Sequence, residues 1–175
     1  EPMTIDPALN SAVDGAIMLQ HSFEGLMKWV DDGEGNAIID KGQASDYTVS
    51  DDGMVYTFTI RDDAKWSDGE AVVAGDFKYA WDRLVDPKTA ADYGYMIADL
   101  NATWAAPDDA TFVVTLPNPV PYFLEICAFP AAYPVRQDII EEAGDQWTFD
   151  TANYIGNGPY NMSAWEQNSK ITYVK

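Results

Sequence analysis

The sequence is poor in the residues that bind metals or form covalent cross-links. It has one cysteine, Cys127, and one histidine, His21, among 175 residues. One cysteine excludes an intrachain disulfide, and its position in an apolar run favours a small core residue over a nucleophile. No ligands at metal-site spacing accompany the histidine, so we predict neither a bound metal nor a cofactor. No stretch approaches the roughly 20 apolar residues of a membrane-spanning helix.

Basic residues are also scarce. Ten Lys and Arg stand against 29 Asp and Glu, which gives a net charge of −19 and a pI of about 4.1. Such a surface repels phosphate backbones and anionic lipid headgroups, so it disfavours nucleic acid and membrane surfaces as partners. An acidic face that keeps the protein soluble is the simplest interpretation, and adaptation to high salt would give the same charge.

Motifs for catalysis are missing as well. The spacings of a Gly-x-Ser-x-Gly nucleophile, a phosphate-binding loop and a zinc hydrolase do not occur. Pairs such as Asp51 with Asp52 arise easily among 29 acidic residues. Adjacent residues on a strand point to opposite faces, so they do not form a glycosidase-like carboxylate pair. We therefore predict no enzymatic activity; a hydrolase would reveal itself by turnover that one carboxylate substitution abolishes.

What the sequence does contain is a core and clear strand patterns. Hydrophobic residues make up 47% of the chain and aromatic residues 13%, enough for a packed interior. Apolar and polar residues alternate over residues 54–61 and again over 111–116, which predicts two strands. Residues 160–165 and 170–175 flank a turn and predict a hairpin. The Asp- and Gly-rich residues 31–36 predict another turn.

Apolar residues at helical spacing predict helices between these strands. The predicted helices start near Asp14, Asp76, Pro119 and Arg136 and extend to Met27, Leu84, Phe129 and Ala143. Asp14 is a candidate N-cap, and the second helix stops at Asp86, because the next residue is proline. Strands and helices that do not alternate strictly predict an α+β or mixed-sheet α/β architecture.

Short blocks of residues along the whole chain carry a family resemblance. The first blocks are Ile5-Asp6-Pro7, Phe23-Glu24-Gly25-Leu26, Gln43-Ala44, Ser50-Asp51-Asp52-Gly53, Tyr56-Thr57-Phe58, Ile60-Arg61 and Ala64-Lys65-Trp66-Ser67-Asp68-Gly69. Further blocks are Asp76-Phe77, Tyr79-Ala80-Trp81, Asp86-Pro87, Pro119-Val120-Pro121-Tyr122-Phe123, Pro134-Val135 and Asn157-Gly158-Pro159-Tyr160. Together they resemble the family 5 extracellular solute-binding proteins, which are receptors for oligopeptides, dipeptides and nickel. Residues 86–90 followed by Tyr93, and Phe129-Pro130 followed by residues 133–135, are similar to the oligopeptide branch.

The resemblance implies a fold of the periplasmic-binding-protein type (type II, peptide-binding cluster). Its members have two lobes joined by a hinge and, in peptide receptors, an extra small domain. By this resemblance, residues 1–23 and 135–175 are parts of lobe I and residues 24–134 form the extra small domain. The second ligand-binding lobe is absent, and both ends of the chain look like cuts within a larger protein. The stretch between Tyr95 and Asp108 is shorter than is usual in peptide receptors.

The resemblance also implies a function. It predicts the receptor component of an ABC importer, which captures an oligopeptide between two lobes and delivers it to the membrane permease. The implied partners are the oligopeptide and the permease subunits, and the implied protein is an exported monomer. It is periplasmic or held at the cell surface by a lipid anchor outside these residues. Other cargo, such as a nickel complex, an oligosaccharide or a peptide pheromone, remains an alternative, as does an adhesion or structural fragment.

Four residues are candidates for ligand contact by this resemblance. Asn10, Ser11 and Ala12 lie in a segment that matches the cleft edge, where an extended peptide pairs with the backbone in strand-like fashion. Ser11 stands where peptide receptors often have an acidic residue, so no ion pair with a basic ligand is predicted there. Tyr93 matches a tyrosine that faces the ligand. Without a role in ligand binding, Ser11 would be an ordinary loop serine and Tyr93 an ordinary half-buried tyrosine.

Overall fold

The computed structural model describes the backbone of residues 1–175 and every side chain except that of Asp145. The α-helices in it are α1 (Val13–Ser22), α2 (Ala74–Val85), α3 (Tyr95–Ala98), α4 (Phe123–Cys127) and α5 (Gln137–Ala143), with 3-10 turns at Pro130–Ala132 and Gly144–Gln146. The strands are β1 (Met27–Asp31), β2 (Ala37–Lys41), β3 (Ala44–Val49), β4 (Val55–Ile60), β5 (Thr103–Ala105), β6 (Thr111–Thr115), β7 (Asn161–Glu166) and β8 (Lys170–Val174).

The strands form one larger sheet and two hairpins. The larger sheet has the order β3-β4-β6-β5, and β1 pairs with β2 and β7 with β8. Every strand pairing in the described backbone is antiparallel, which favours the α+β form of the predicted fold class. The hairpin predicted over residues 160–175 is confirmed as β7 and β8.

Strand β4 and helix α2 enclose the core of the larger sheet. The alternation of residues 54–61 is confirmed, because Tyr56, Phe58 and Ile60 are buried on one face of β4. On the neighbouring strand, Phe112 lies directly opposite Phe58. The ring of Trp81 in α2 packs edge-on against Phe112, with 5.2 Å between the ring centroids. Such aromatic pairs bury large areas and fix the helix against the sheet.

Helix α2 follows its prediction closely. Its buried residues include Phe77, Ala80, Trp81 and Leu84, which recur at helical spacing in the sequence. It starts two residues before Asp76, so the carboxylate of Asp76 reaches back to accept the backbone N–H of Val73 at 2.9 Å. The helix ends at Val85, and Asp86, the residue before a proline, is its C-cap, where the prediction placed the stop.

Helix α1 is shorter than predicted, and its N-cap is a different residue. Ala12 occupies the N-cap position, while Asp14 lies inside the first turn. The helix ends at Ser22, and Met27 belongs to β1 instead of the helical face. Its last carbonyls accept tertiary hydrogen bonds from the backbone N–H groups of Gly158 and Tyr160, at 2.8 and 3.0 Å. These partners arrive from far along the chain and end the helix.

Other elements also depart from the sequence prediction. The helix expected over 119–129 is limited to α4, because turns precede and follow it. Four strands were not predicted, namely β1, β2, β3 and β5, and most of their residues are exposed. The turn at residues 31–36 is confirmed as the loop of the β1–β2 hairpin. Among the described residues, no helix is long and apolar enough to cross a bilayer.

The two ends of the chain pack against the middle. The ring of Phe23, just after α1, contacts Trp66, Trp147 and Tyr154 at centroid distances of 5.5 to 6.5 Å. All four side chains are buried, so the core continues from the sheet to the end segments. The division into residues 1–23 with 135–175 and residues 24–134 stays a prediction.

Candidate ligand-binding site

The segment that leads to the predicted cleft edge is anchored by Asp6. This carboxylate is buried and accepts both terminal nitrogens of Arg83, at 2.8 and 2.6 Å. It also accepts the indole N–H of Trp147 at 2.9 Å and the backbone N–H of Ala8 at 2.9 Å. Four donors satisfy the buried charge, as a charge removed from water requires. The turn that follows is therefore held to both α2 and the later part of the chain.

Asn10 shapes the loop from within. Its side chain is buried, donates to the carbonyl of Ala12 at 3.0 Å and accepts the N–H of Ala12 at 3.4 Å. A Cβ at Gly15 would lie 1.9 Å from its Oδ1, so only glycine fits there. The side chain of Asn10 thus faces the protein, and this residue positions the loop that carries Ser11.

Ser11 presents its main chain to the cleft. It is exposed, and its backbone N–H and C=O form no hydrogen bond with any described residue. In contrast, the carbonyl of Ala12 already accepts the N–H of Ala16 at 3.0 Å and the side chain of Asn10. The unpaired donor and acceptor that an extended peptide needs are therefore those of Ser11.

Tyr93 and Phe129 form the facing wall. Tyr93 lies just before α3 and is half-buried, and its ring packs edge-on against Phe129 with 5.1 Å between centroids. Its hydroxyl has no hydrogen-bond partner in the described part of the chain. A tyrosine with a packed ring and a free hydroxyl offers both an apolar surface and a polar tip.

These segments meet in one cleft of about 260 Å³. Its lining residues are Asn10, Ser11, Ala12, Val13, Ala16, Gln20, Trp29, Tyr93, Ala128, Phe129, Pro130 and Ala131. The four sequence-predicted candidates are thus brought together, although more than 80 residues separate Tyr93 from the others in sequence. Whether they contact a ligand stays a prediction.

Sequence reasoning missed several cleft residues. Trp29 is half exposed on β1, a strand that was not predicted, so no pattern pointed to it. Phe129 and Pro130 belonged to a recognised block, but their place at the cleft depends on the turn after α4. The large aromatic side chain of Trp29 was itself the one local signal for this residue.

A charged network borders the cleft beside Trp29. Glu24 pairs with Lys28 at 2.9 Å and accepts the side chain of Gln43 at 2.7 Å. Burial raises the pKa of Tyr133 to about 12, and the charge of Glu24 adds to the rise. Tyr133 therefore stays neutral at physiological pH. The Glu24 and Lys28 charges largely cancel, so this border does not favour ligand charge of either sign.

Catalytic and metal-binding groups are not assembled at this site. Burial raises the pKa of Cys127 far above its ordinary value, which keeps it a thiol and makes it a poor nucleophile. The side chain of His21 is engaged by the carbonyl of Ile17 at 2.7 Å. No group of three or more potential metal ligands occurs among the described side chains. The arrangement is a cleft with aromatic walls and a free backbone edge.

An open cleft with a free backbone edge is suited to binding a solute, and known proteins of similar sequence bear on this interpretation. The family model of the bacterial extracellular solute-binding proteins, family 5, matches residues 39–175. The chain is 37% identical to the oligopeptide-binding protein OppA of Bacillus subtilis, over all of this chain and 34% of that protein. It is 36% identical to the probable deoxycholate-binding periplasmic protein YgiS of Escherichia coli, over all of this chain and 35% of that protein.

A solved structure shows the same fold. The crystal structure of Haemophilus influenzae OppA in complex with RPPGFSPFR superposes with a TM-score of 0.90 at 35% identity, over 99% of this chain and 36% of that one. The chain therefore belongs to the family 5 extracellular solute-binding proteins, as its residue blocks predicted. The family consists of solute receptors. The chain spans about a third of the length of the curated relatives it matches.

Proposed function

We propose that this chain is part of the receptor component of an ABC importer that captures oligopeptides and delivers them to a membrane permease. The observation that carries the proposal is the free main chain of Ser11 opposite the ring of Tyr93 in one cleft. An extended peptide would pair with Ser11 as an added strand, while its side chains pack on the aromatic wall. The relatives named as oligopeptide-binding proteins support this cargo.

Binding is expected to need a second wall. A typical pocket of about 300–1,000 Å³ buries most of its ligand, whereas this cleft measures about 260 Å³ and opens to solvent. Residues 1–23 and 135–175 would contribute to one lobe, residues 24–134 would form the extra domain, and a second lobe would close over the ligand. Closure stabilises a bound state only through contacts that the open state lacks. We therefore expect this chain alone to bind peptide weakly.

The experiment is a calorimetric titration of a mixed pool of tripeptides to pentapeptides. One cell holds a full-length receptor that contains this chain, and the other holds the 175-residue chain. Heat from the full-length protein with little from the chain supports a peptide site shared between lobes. Comparable heat from both would contradict the shared site, and no heat from either would contradict peptide as cargo.

The role of Ser11 is tested with matched peptides. A peptide N-methylated at the amide that faces Ser11 should bind the full-length receptor about tenfold more weakly, because one main-chain hydrogen bond is lost. N-methylation at each other position serves as the control. Equal effects at all positions would contradict a specific pairing with Ser11.

A bile-acid-like cargo is the second candidate, and one observation favours it. YgiS, described as probably deoxycholate-binding, is as similar to this chain as several oligopeptide receptors are. Function depends on the site more than on the scaffold, so the family alone does not decide the cargo. Deoxycholate in the same titration distinguishes the two, since heat from deoxycholate and none from the peptide pool would favour the steroid.

Export to the periplasm or to the outer cell surface is part of the proposal. The family consists of extracellular solute-binding proteins, and relatives are named as periplasmic. A lipid anchor would be attached outside these 175 residues, and metabolic labelling of the full-length protein with a radioactive fatty acid tests it. Absence of label would favour a freely diffusing periplasmic receptor.

A further inference from the structure

A second groove adjoins the cleft and has a different chemical character. It measures about 490 Å³ and is lined by Trp29, Tyr95, Asp99, Tyr122, Glu125 and Phe129, among others. We call it the aromatic groove. Trp29 and Phe129 also line the cleft, so the two spaces are continuous. A group attached to a ligand in the cleft can therefore extend into the groove.

The aromatic rings of the groove are unusually exposed. Trp29, Tyr95 and Tyr122 are 50%, 57% and 55% exposed. Five of the six tryptophans donate their indole N–H to a protein acceptor, and Trp29 is the one without such an acceptor in the described part of the chain. An exposed aromatic cluster of this kind is typical of a surface that contacts a ligand or another protein surface, and its continuity with the cleft favours a ligand.

Two carboxylates complete the groove. Asp99 follows α3 and Glu125 lies in α4, and both are exposed. Neither side chain forms an ion pair or accepts a hydrogen bond from any described residue. Glu24, at the border of the cleft, is by contrast paired with Lys28. The groove thus offers negative charge that has no cation of its own.

This combination selects between possible occupants. A purely apolar group would remove water from Asp99 and Glu125 without replacing it, which costs free energy. An anionic group would be repelled. A cation on an aliphatic stem satisfies both requirements, because its charge stacks on the ring faces and its N–H groups donate to the carboxylates. Arginine has this chemistry, with a planar guanidinium and five donors.

We propose that the aromatic groove is the subsite for a basic side chain, arginine above lysine, of a peptide bound in the adjoining cleft. The inference rests on the proposed function and specifies its substrate class. The ring of Tyr93 contacts both Phe129 and Tyr95, at 5.1 and 6.3 Å, so it separates the peptide backbone from the groove. A side chain that passes Tyr93 enters a space lined by both Trp29 and Glu125.

The test uses a full-length receptor that contains this chain and peptides that differ by one charge. In one series, arginine moves along an alanine pentapeptide, and in the other, citrulline, its neutral isostere, occupies the same positions. At one position, arginine should bind about five- to tenfold more tightly than citrulline, and 0.5 M NaCl should reduce this ratio. Glu125→Gln should lower the ratio to about twofold.

Control variants separate the groove from the general acidity of the protein. Glu142→Gln removes one exposed carboxylate of α5 that lines none of these spaces, so it should leave the ratio unchanged. Trp29→Ala should weaken arginine peptides more than citrulline peptides, because the cation loses its aromatic partner. The citrulline series shows whether each variant still folds and binds.

Each outcome is decisive. If arginine and citrulline peptides bind equally at every position, the basic subsite is wrong while the peptide receptor stands. If Glu142→Gln lowers the ratio as much as Glu125→Gln does, the effect is long-range charge and the groove is not the subsite. If no peptide binds at all, the proposed function fails and the inference fails with it.

Discussion

At the scale of the residue, buried polar groups in this chain organise the site without touching a ligand. Asp6 has no exposed surface to offer, yet its four hydrogen bonds join α2, Trp147 and the turn before Asn10. A buried carboxylate is tolerated only when its donors are in place. The position of Ser11 therefore depends on contacts made several residues away. Its sequence neighbours alone would not have revealed this.

Asp76 gives a prediction at this scale, because its pKa is shifted by its surroundings. Burial raises the pKa of Asp76 above its ordinary value of 3.8, and hydrogen bonds from Val73 and Trp66 oppose part of the rise. A raised folded pKa means that ionisation costs more in the folded than in the unfolded state. Stability should therefore fall as pH rises from below 3.8 through the folded pKa. The free energy of unfolding of Asp76→Asn should therefore increase relative to that of the parent as pH rises over that range. Urea denaturation of both proteins at pH 3 to 7 measures the difference.

Asp138 provides a control of opposite sign. A hydrogen bond from Arg136 lowers the pKa of Asp138, so its contribution is present above the ordinary value of 3.8 and is lost as pH falls through the folded pKa. Asp138→Asn should therefore lose stability relative to the parent as pH rises, by a small amount because the side chain is exposed. Parallel pH profiles for the two variants would contradict the assigned causes.

At the scale of the element, the sequence predicted those helices and strands whose own apolar residues determine where they form. Strand β4, helix α2 and the β7–β8 hairpin were predicted because their apolar residues repeat with the period of the element. The end of α1 was not predicted, because its last carbonyls accept hydrogen bonds from Gly158 and Tyr160, which are distant in sequence. Strands β1 and β2 were missed because neither has a face of alternating buried residues.

Gly15 gives a prediction at the scale of the helix. Alanine has the higher helix propensity by about 1 kcal/mol, but a Cβ at Gly15 would lie 1.9 Å from Asn10 Oδ1 and 2.7 Å from the carbonyl of Thr4. We expect Gly15→Ala to destabilise the protein by about 1–3 kcal/mol, since the backbone carbonyl cannot move freely. It should also weaken peptide binding by a full-length receptor, because Asn10 holds the loop of Ser11. Urea denaturation and calorimetry measure the two effects.

Gly75 in α2 is the matched control. Its nearest neighbour to an added Cβ is Val73 Cγ2 at 3.8 Å, an ordinary contact. Gly75→Ala should therefore raise the free energy of unfolding by up to about 1 kcal/mol through helix propensity and leave peptide binding unchanged. If both alanine variants changed stability in the same direction, the close approach of Asn10 to Gly15 would not be a constraint.

At the scale of the whole molecule, the site is a product of topology. Ser11, Trp29, Tyr93 and Phe129 come from four separate segments, and only their packing creates the cleft. Residue spacing in the sequence gave no signal of this convergence. The candidates Asn10, Ser11, Ala12 and Tyr93 came from family resemblance, whereas the aromatic groove required the folded chain. Its carboxylates could not be told from the other acidic residues by sequence.

The net charge of −19 leads to the last prediction, which concerns the whole chain. Like charges repel across a compact surface, and salt screens them, because the Debye length falls from about 10 Å at 0.1 M to about 3 Å at 1 M. We expect the melting temperature to rise by at least about 3 °C between 0.05 and 1 M NaCl, which corresponds to about 1 kcal/mol for a chain of this size.

A variant with Asp51, Asp109 and Glu142 made neutral removes three exposed charges and should show a smaller rise. A melting temperature that falls with salt would mean that exposed ion pairs such as Lys78–Asp82 and Lys170–Glu166 outweigh the surface repulsion. A chain that unfolds entirely at 0.05 M NaCl would instead support adaptation to high salt.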